Sequence, residues 1–143
     1  LKVWGHLENG KIIKAESPVI TAQCFRVACL DGHMAAVFMK FQDGSKPSIE
    51  QIKADWAAFR GPAQELELPS APKQFLHYFE EDNRPQTKLD RNLEHGMAIS
   101  LGRLREDSQY DYKFVGLSHN TLRGAAGGAV LLAELLAAEG YMG

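Results

Sequence analysis

Apolar and polar positions along the chain fall into stretches that predict element type. Residues 19–30 and 33–41 are both rich in apolar and β-type residues, and Asp31-Gly32 stands between them. Asp-Gly between two such runs is a strong hairpin signal, so two antiparallel strands with a two-residue turn are expected, the first opened by Pro18. The second run is apolar on both faces (Ala36 and Phe38 against Val37 and Met39), which predicts a strand central in its sheet, ended by Asp43-Gly44. A second hairpin is expected further on. Met97, Ile99 and Leu101 alternate with Ala98, Ser100 and Gly102, and Arg103 and Arg105 carry the first face outward. After a turn at Asp107-Ser108, residues 110–117 form its other strand. Near the start, residues 3–7 and 11–14 read as short extended pieces around an Asn9-Gly10 turn.

Two segments carry helical periodicity. Ile49, Ile52, Trp56 and Phe59 share one face of a helix over 48–60, with Ser48 and Gln51 at capping-box spacing and Gly61-Pro62 as the stop. Their stripe reads as core, and nothing makes Trp56 a ligand platform. A second helix is expected over 120–139, capped by Ser118, Asn120 or Thr121 and ended by Gly140. Its apolar positions Leu122, Ala126, Ala129, Leu132 and Leu136 are suited to packing against another domain. Gly124, Gly127 and Gly128 each cost about 1 kcal/mol relative to Ala in a helix, so something approaches the backbone there. Either a ligand uses free N–H groups at the helix start or the helix packs tightly. GAAGGA is not a dinucleotide fingerprint, which needs a preceding strand in a βαβ unit.

Residues 62–95 contrast with both patterns. Pro62, Pro69, Pro72 and Pro85 interrupt them, and little period is visible. Such a segment is functional, wraps a partner, or is a solvated loop. Phe75, Tyr78 and Phe79 argue that part of it is buried, against this chain or another subunit. The fold class that follows is α+β: a mixed or antiparallel sheet covered by the two helices.

Composition adds bounds. The 143 residues suffice for one domain, taken as 1–143, and 45% apolar with 24% charged residues is ordinary for a globular protein. A net charge of -2 gives no argument for nucleic acid or an anionic membrane, and no apolar run approaches the roughly 20 residues of a membrane span. Cys24 and Cys29 would face opposite sides of one strand, so no disulfide is expected, and two thiols suit a reducing cytoplasm. With His33 they make no trusted zinc spacing. Leu1 in place of Met, followed by KVWGHL, reads as a chain already under way.

The candidate chemistry lies around the first turn. If Leu30 and His33 flank a two-residue turn, Leu30, Ala28 and Arg26 share a face with His33. Arg26 then lies roughly 13 Å back along the strand at about 3.3 Å per residue. An arginine and an imidazole so placed suit the two ends of a small anion. Equally, a histidine after a turn can be a surface group, and a strand arginine can pair with a carboxylate.

Several long motifs, in order, carry a resemblance: CFRVACLDGH, ELELPSAP, EDNRPQTKLDR, GMAISLGRLRED and KFVGLSHNTLRGAAGGAVLLAELL. Together they resemble the archaeal and fungal branch of aspartate-semialdehyde dehydrogenase over nearly the whole chain. The resemblance implies a C-terminal substrate-binding and dimerisation domain similar to that of glyceraldehyde-3-phosphate dehydrogenases, with a Rossmann domain for NADP upstream. It implies reversible NADP-dependent reduction of L-4-aspartyl phosphate to the semialdehyde, a step towards lysine, threonine, methionine and isoleucine. By the same resemblance His33 is the acid/base, Arg26 binds the substrate carboxylate, and Asn120, Thr121, Ala125 and Gly127 approach the nicotinamide end of NADP. A homo-oligomer, dimer or tetramer, is implied through residues 62–117. The nucleophilic cysteine belongs upstream of Leu1, so the 143 residues are expected to be inactive alone. Met34-Ala35 stand where Thr-Glu is common in the family, and Phe25 where a small or polar residue is usual. A non-catalytic dimerisation module of the same fold and N-acetyl-glutamyl-phosphate reductase are the alternatives.

Overall fold

A computed structural model describes residues 1–42 and 44–142. Asp43, expected at a strand end, lies outside the described residues. A four-stranded mixed sheet organises the chain, in the order β3-β6-β5-β4. Its strands are β3 (His33–Met39), β4 (Leu76–Phe79), β5 (Ile99–Glu106) and β6 (Tyr112–Ser118). β3 and β5 run antiparallel to β6, and β4 runs parallel to β5. A separate hairpin, β1 (His6–Glu8) and β2 (Lys11–Ile13), forms around Asn9-Gly10. Fold class and second hairpin agree with the sequence reading.

Helix α1 (Ile49–Ala58) packs across the sheet through Ile52, which meets Leu104 and Tyr112 with Trp56, Tyr78 and Phe114 around them. Trp56 stacks on Tyr78 and Phe114 at centroid distances of 5.8 and 5.1 Å, so it is core as expected. Ser48 caps the helix by accepting from Gln51 N–H, while the Gln51 side chain turns to Asp55 instead of closing the capping box. At the other end of the sheet Leu68, Met97 and Leu131 join α2 (Pro62–Glu65) and the segment before β5 to α4 (Gly127–Ala138).

β5 and β6 are the inner strands, and both faces of β5 are covered. One residue is inserted in β5 between Gly102 and Arg105, with Arg103 at φ +59°, so two residues oppose one on β6. This bulge turns Leu104 into the core while Arg103 and Arg105 stay exposed. The segment before α3 (Thr87–Asp90) closes the opposite face. A Cβ on Gly102 would stand 2.5 Å from the Arg84 carbonyl oxygen.

Three expectations need correction. Residues 19–30 form no strand; they are exposed throughout, with Val19 95% and Leu30 93% accessible. The Cys29 N–H donates to the Val27 carbonyl at 2.9 Å, closing a tight turn where a ladder would need an extended backbone. Consequently β3 is an edge strand, bonded among the described residues only to β6, and not a central one. Residues 62–95 are also more regular than their prolines suggest. They contain β4, whose parallel pairing to β5 depends on a distant strand that periodicity cannot reveal. Phe75 and Tyr78 are half-buried within this chain, against Phe59 and Trp56. Among the described residues no helix is long and apolar enough to cross a membrane.

Candidate active site

His33 is the first residue of β3 and stands opposite Ser118, the last residue of β6. Its position is set from both sides of the sheet, because Ser118 is also the partner of Ile99 on β5. Immediately before it, Gly32 adopts φ +104°, a conformation that side chains resist. A Cβ there would lie 3.0 Å from Thr87 Cγ2 and 3.1 Å from Leu117 Cδ1, so backbone and packing both demand glycine.

The turn is tied to the segment that follows β6. Gly32 N–H donates to Asn120 Oδ1 at 2.7 Å, and the Thr121 hydroxyl donates to Asp31 Oδ1 at 3.4 Å. A backbone N–H can only donate, so the Asn120 atom facing it is the amide oxygen, and its NH2 group is left for another acceptor. Asp31-Gly32-His33 and Asn120-Thr121, 88 positions apart, thus meet at one end of the sheet.

The start of the last helix is not built as its sequence suggests. His119, 6% exposed, accepts the Thr121 and Leu122 N–H groups at Nδ1, each at 3.2 Å. An imidazole nitrogen that accepts two N–H donors carries no proton, which places the ring proton of the neutral form on Nε2. Thr121 holds the cap position, as one of the expected residues, but makes no side-chain cap bond; His119 supplies the capping acceptor instead. Residues Leu122–Ala126 then form a single wide π turn. Gly124 N–H reaches the His119 carbonyl and Ala126 N–H the Thr121 carbonyl, both at 2.9 Å. Such turns recur at functional sites.

The glycines are explained mostly by contact within the chain. A Cβ on Gly127 would stand 2.6 Å from Met97 Sδ, and one on Gly128 would stand 2.4 Å from the Arg123 carbonyl oxygen. Gly127 is thus half-buried against Met97, whereas Thr121 and Ala125 lie exposed on the outside of the turn. On the other side Gly96, at φ +77°, lets Leu122 approach to 2.6 Å of its Cβ direction.

Arg26 is not brought to this cluster by a hairpin. It lies in the exposed stretch 19–30, and the shared strand face predicted for Arg26 and His33 does not form. Cys24 and Cys29 are free and exposed, and the Cys29 thiol donates to the Asp31 carbonyl oxygen at 3.1 Å. His119 was missed by sequence reasoning because histidine is not a favoured helix cap. Its only signal was its place between a strand end and Asn120-Thr121. Arg123 was missed as well. Its guanidinium stacks 4.5 Å over Phe75, burial lowers its pKa, and it borders a groove of about 290 Å3 with Phe59, Leu131 and Leu135.

Comparison with known proteins shows the family of this chain. The family model of the semialdehyde dehydrogenase dimerisation domain matches residues 1–123. The chain is 45% identical to an aspartate-semialdehyde dehydrogenase of Saccharomyces cerevisiae over 129 residues, 90% of this chain and 35% of the relative. It is 41% identical to that of Methanothermobacter thermautotrophicus over 138 residues, 95% of this chain and 39% of the relative. The solved structure of the Candida albicans aspartate semialdehyde dehydrogenase with NADP superposes with a TM-score of 0.87 at 38% identity. That match covers 99% of this chain and 40% of the other. The chain spans little more than a third of the length of the curated relatives it matches, and within that span it belongs to the semialdehyde dehydrogenase dimerisation-domain family.

Proposed function

We propose that these residues form the substrate-binding and dimerisation part of an NADP-dependent aspartate-semialdehyde dehydrogenase, acting in the cytoplasm as a homo-oligomer. The supporting observation is the bond from Gly32 N–H to Asn120 Oδ1, which joins the turn before His33 to the segment nominated for the cofactor. His33 is the acid/base. Its imidazole accepts the proton of a cysteine thiol supplied from outside these 143 residues as sulfur attacks the aldehyde carbon. It returns a proton when the reaction runs in the reductive direction. Arg26 binds the substrate carboxylate with its two-pronged guanidinium, a task that lysine performs poorly. The exposed stretch around Arg26 docks onto the assembled site.

The residues near His33 fit one end of NADP. Asn120 keeps an amide NH2 suited to a carboxamide oxygen, and Thr121 and Ala125 border the same exposed turn. Gly127 acts there by letting the helix close on Met97. When bound, NADP accepts or supplies the hydride. Residues 62–117 carry the contact between subunits.

The test is a chimera in which the matching third of the S. cerevisiae relative is replaced by these 143 residues. NADPH formation is followed with aspartate semialdehyde, NADP and phosphate. The chimera is expected to turn over, the 143 residues alone are not, and His33→Ala in the chimera is expected to lose about 100-fold or more. A chimera that folds and dimerises without turnover would leave only a dimerisation module.

A further inference from the structure

Resting on that reading, we infer that Asn120 is a positioning residue for His33, acting through its side-chain oxygen on the Gly32 N–H. Three observations carry it. First, Gly32 is the residue before His33, and its left-handed conformation at φ +104° turns its N–H out of the β3–β6 ladder. Without Asn120 Oδ1 at 2.7 Å that N–H has no bonding partner among the described residues. Second, the stretch leading into the turn is exposed from 19 to 30 and supplies no strand pairing, so on that side only the weak Cys29 thiol bond to the Asp31 carbonyl steadies the turn. Third, Asn120 is itself firmly placed. It follows His119, whose ring is buried and bonded to two backbone N–H groups, and it precedes the π turn. The Thr121 hydroxyl on Asp31 is a longer second tie, at 3.4 Å.

The consequence is a coupling between two parts of the reaction site. The side chain that fixes the entry of the acid/base histidine also carries the NH2 group assigned above to the cofactor carboxamide. Its two halves have different partners, and substitution can separate them. Asn120→Asp keeps an acceptor oxygen for Gly32 and removes the NH2 donor. Asn120→Ala removes both.

The experiment uses the active chimera described above and compares wild type, Asn120→Ala and Asn120→Asp. Asn120→Ala is expected to lower kcat at least tenfold with KM for the aldehyde within about twofold, and to raise KM for NADP through loss of the NH2 donor. Asn120→Asp is expected to recover most of the lost kcat at saturating NADP while its KM for NADP stays raised, because it keeps the acceptor oxygen and lacks the NH2. Amide exchange of the peptide containing Gly32 gives a readout independent of turnover. It is expected to speed up in Asn120→Ala and to stay slow in Asn120→Asp. If Asn120→Asp is as impaired as Asn120→Ala while both keep Gly32 slow to exchange, the oxygen does not position the turn and the inference fails. An inactive wild-type chimera would overturn the proposed function, and the exchange measurement would still decide whether Asn120 holds Gly32.

Discussion

Residues 19–30 are richer in apolar residues than residues 97–106 and both read as strands, yet only the second becomes one. Met97, Ala98, Leu101 and Leu104 are all below a tenth exposed, whereas Val19, Phe25, Val27 and Leu30 are 95%, 81%, 73% and 93% exposed. The difference is neighbours. β5 has β6 on one side, β4 on the other, α1 over one face and residues 84–90 over the second. The 19–30 stretch has none of these, and a strand without a partner leaves its backbone groups to water. Hydrophobic pattern states a need for cover; the cover must come from elsewhere. An exposed apolar stretch of this kind marks an interaction surface.

The contrast can be broken most strongly at Asp90, on the covered side. Its carboxylate is 3% exposed and accepts from Arg84 Nε at 2.9 and 2.8 Å and from Gln86 N–H at 2.7 Å. Asp90→Ala leaves Arg84 without its partner and is expected to cost about 3–5 kcal/mol in urea unfolding at pH 7. Burial disfavours the Asp90 charge, but the bonds from Arg84 and Gln86 outweigh it, so its pKa lies below the ordinary carboxylate value. The unfolded chain therefore takes up the proton first. The stability due to Asp90 is fully present above about pH 4 and lost as pH falls through the lower folded value. Unfolding curves of wild type and Asp90→Asn are expected to converge as the acid is increased through that window.

Leu117, 2% exposed on β6, comes next: Leu117→Ala is expected to cost about 3 kcal/mol by the same measurement. A smaller effect is expected from Gly32→Ala, about 1–3 kcal/mol, because its Cβ meets Thr87 and Leu117 at 3.0 and 3.1 Å. In the chimera it should also lower turnover. The smallest effect belongs to the uncovered stretch. Leu30→Ser in the 143 residues is expected to change stability by less than about 0.5 kcal/mol. A loss of 2 kcal/mol or more there would mean that residues 19–30 pack in solution and would dissolve the contrast.

Local chemistry, read from the sequence, determined much of this protein. The α1 stripe with Ser48 as cap, the β5–β6 hairpin, and the strand beginning at His33 all follow from periodicity, capping and turn residues, which act over a few positions. The glycine demand at Gly32 was visible in Asp-Gly, and the need for close approach in the last helix was visible in its glycines. The tertiary structure decided what depends on distant partners. It placed β4 parallel to β5, made β3 an edge, left 19–30 without pairing, and thereby separated Arg26 from the expected hairpin face. It also made His119 the capping acceptor beside Thr121, because burial between Gly96 and the π turn aims Nδ1 at two N–H groups. The meeting of Gly32 with Asn120 across 88 positions is of this second kind. Sequence periodicity reports which face of a segment wants burial, while the partner that buries it is set by chain closure over distances that no local pattern encodes.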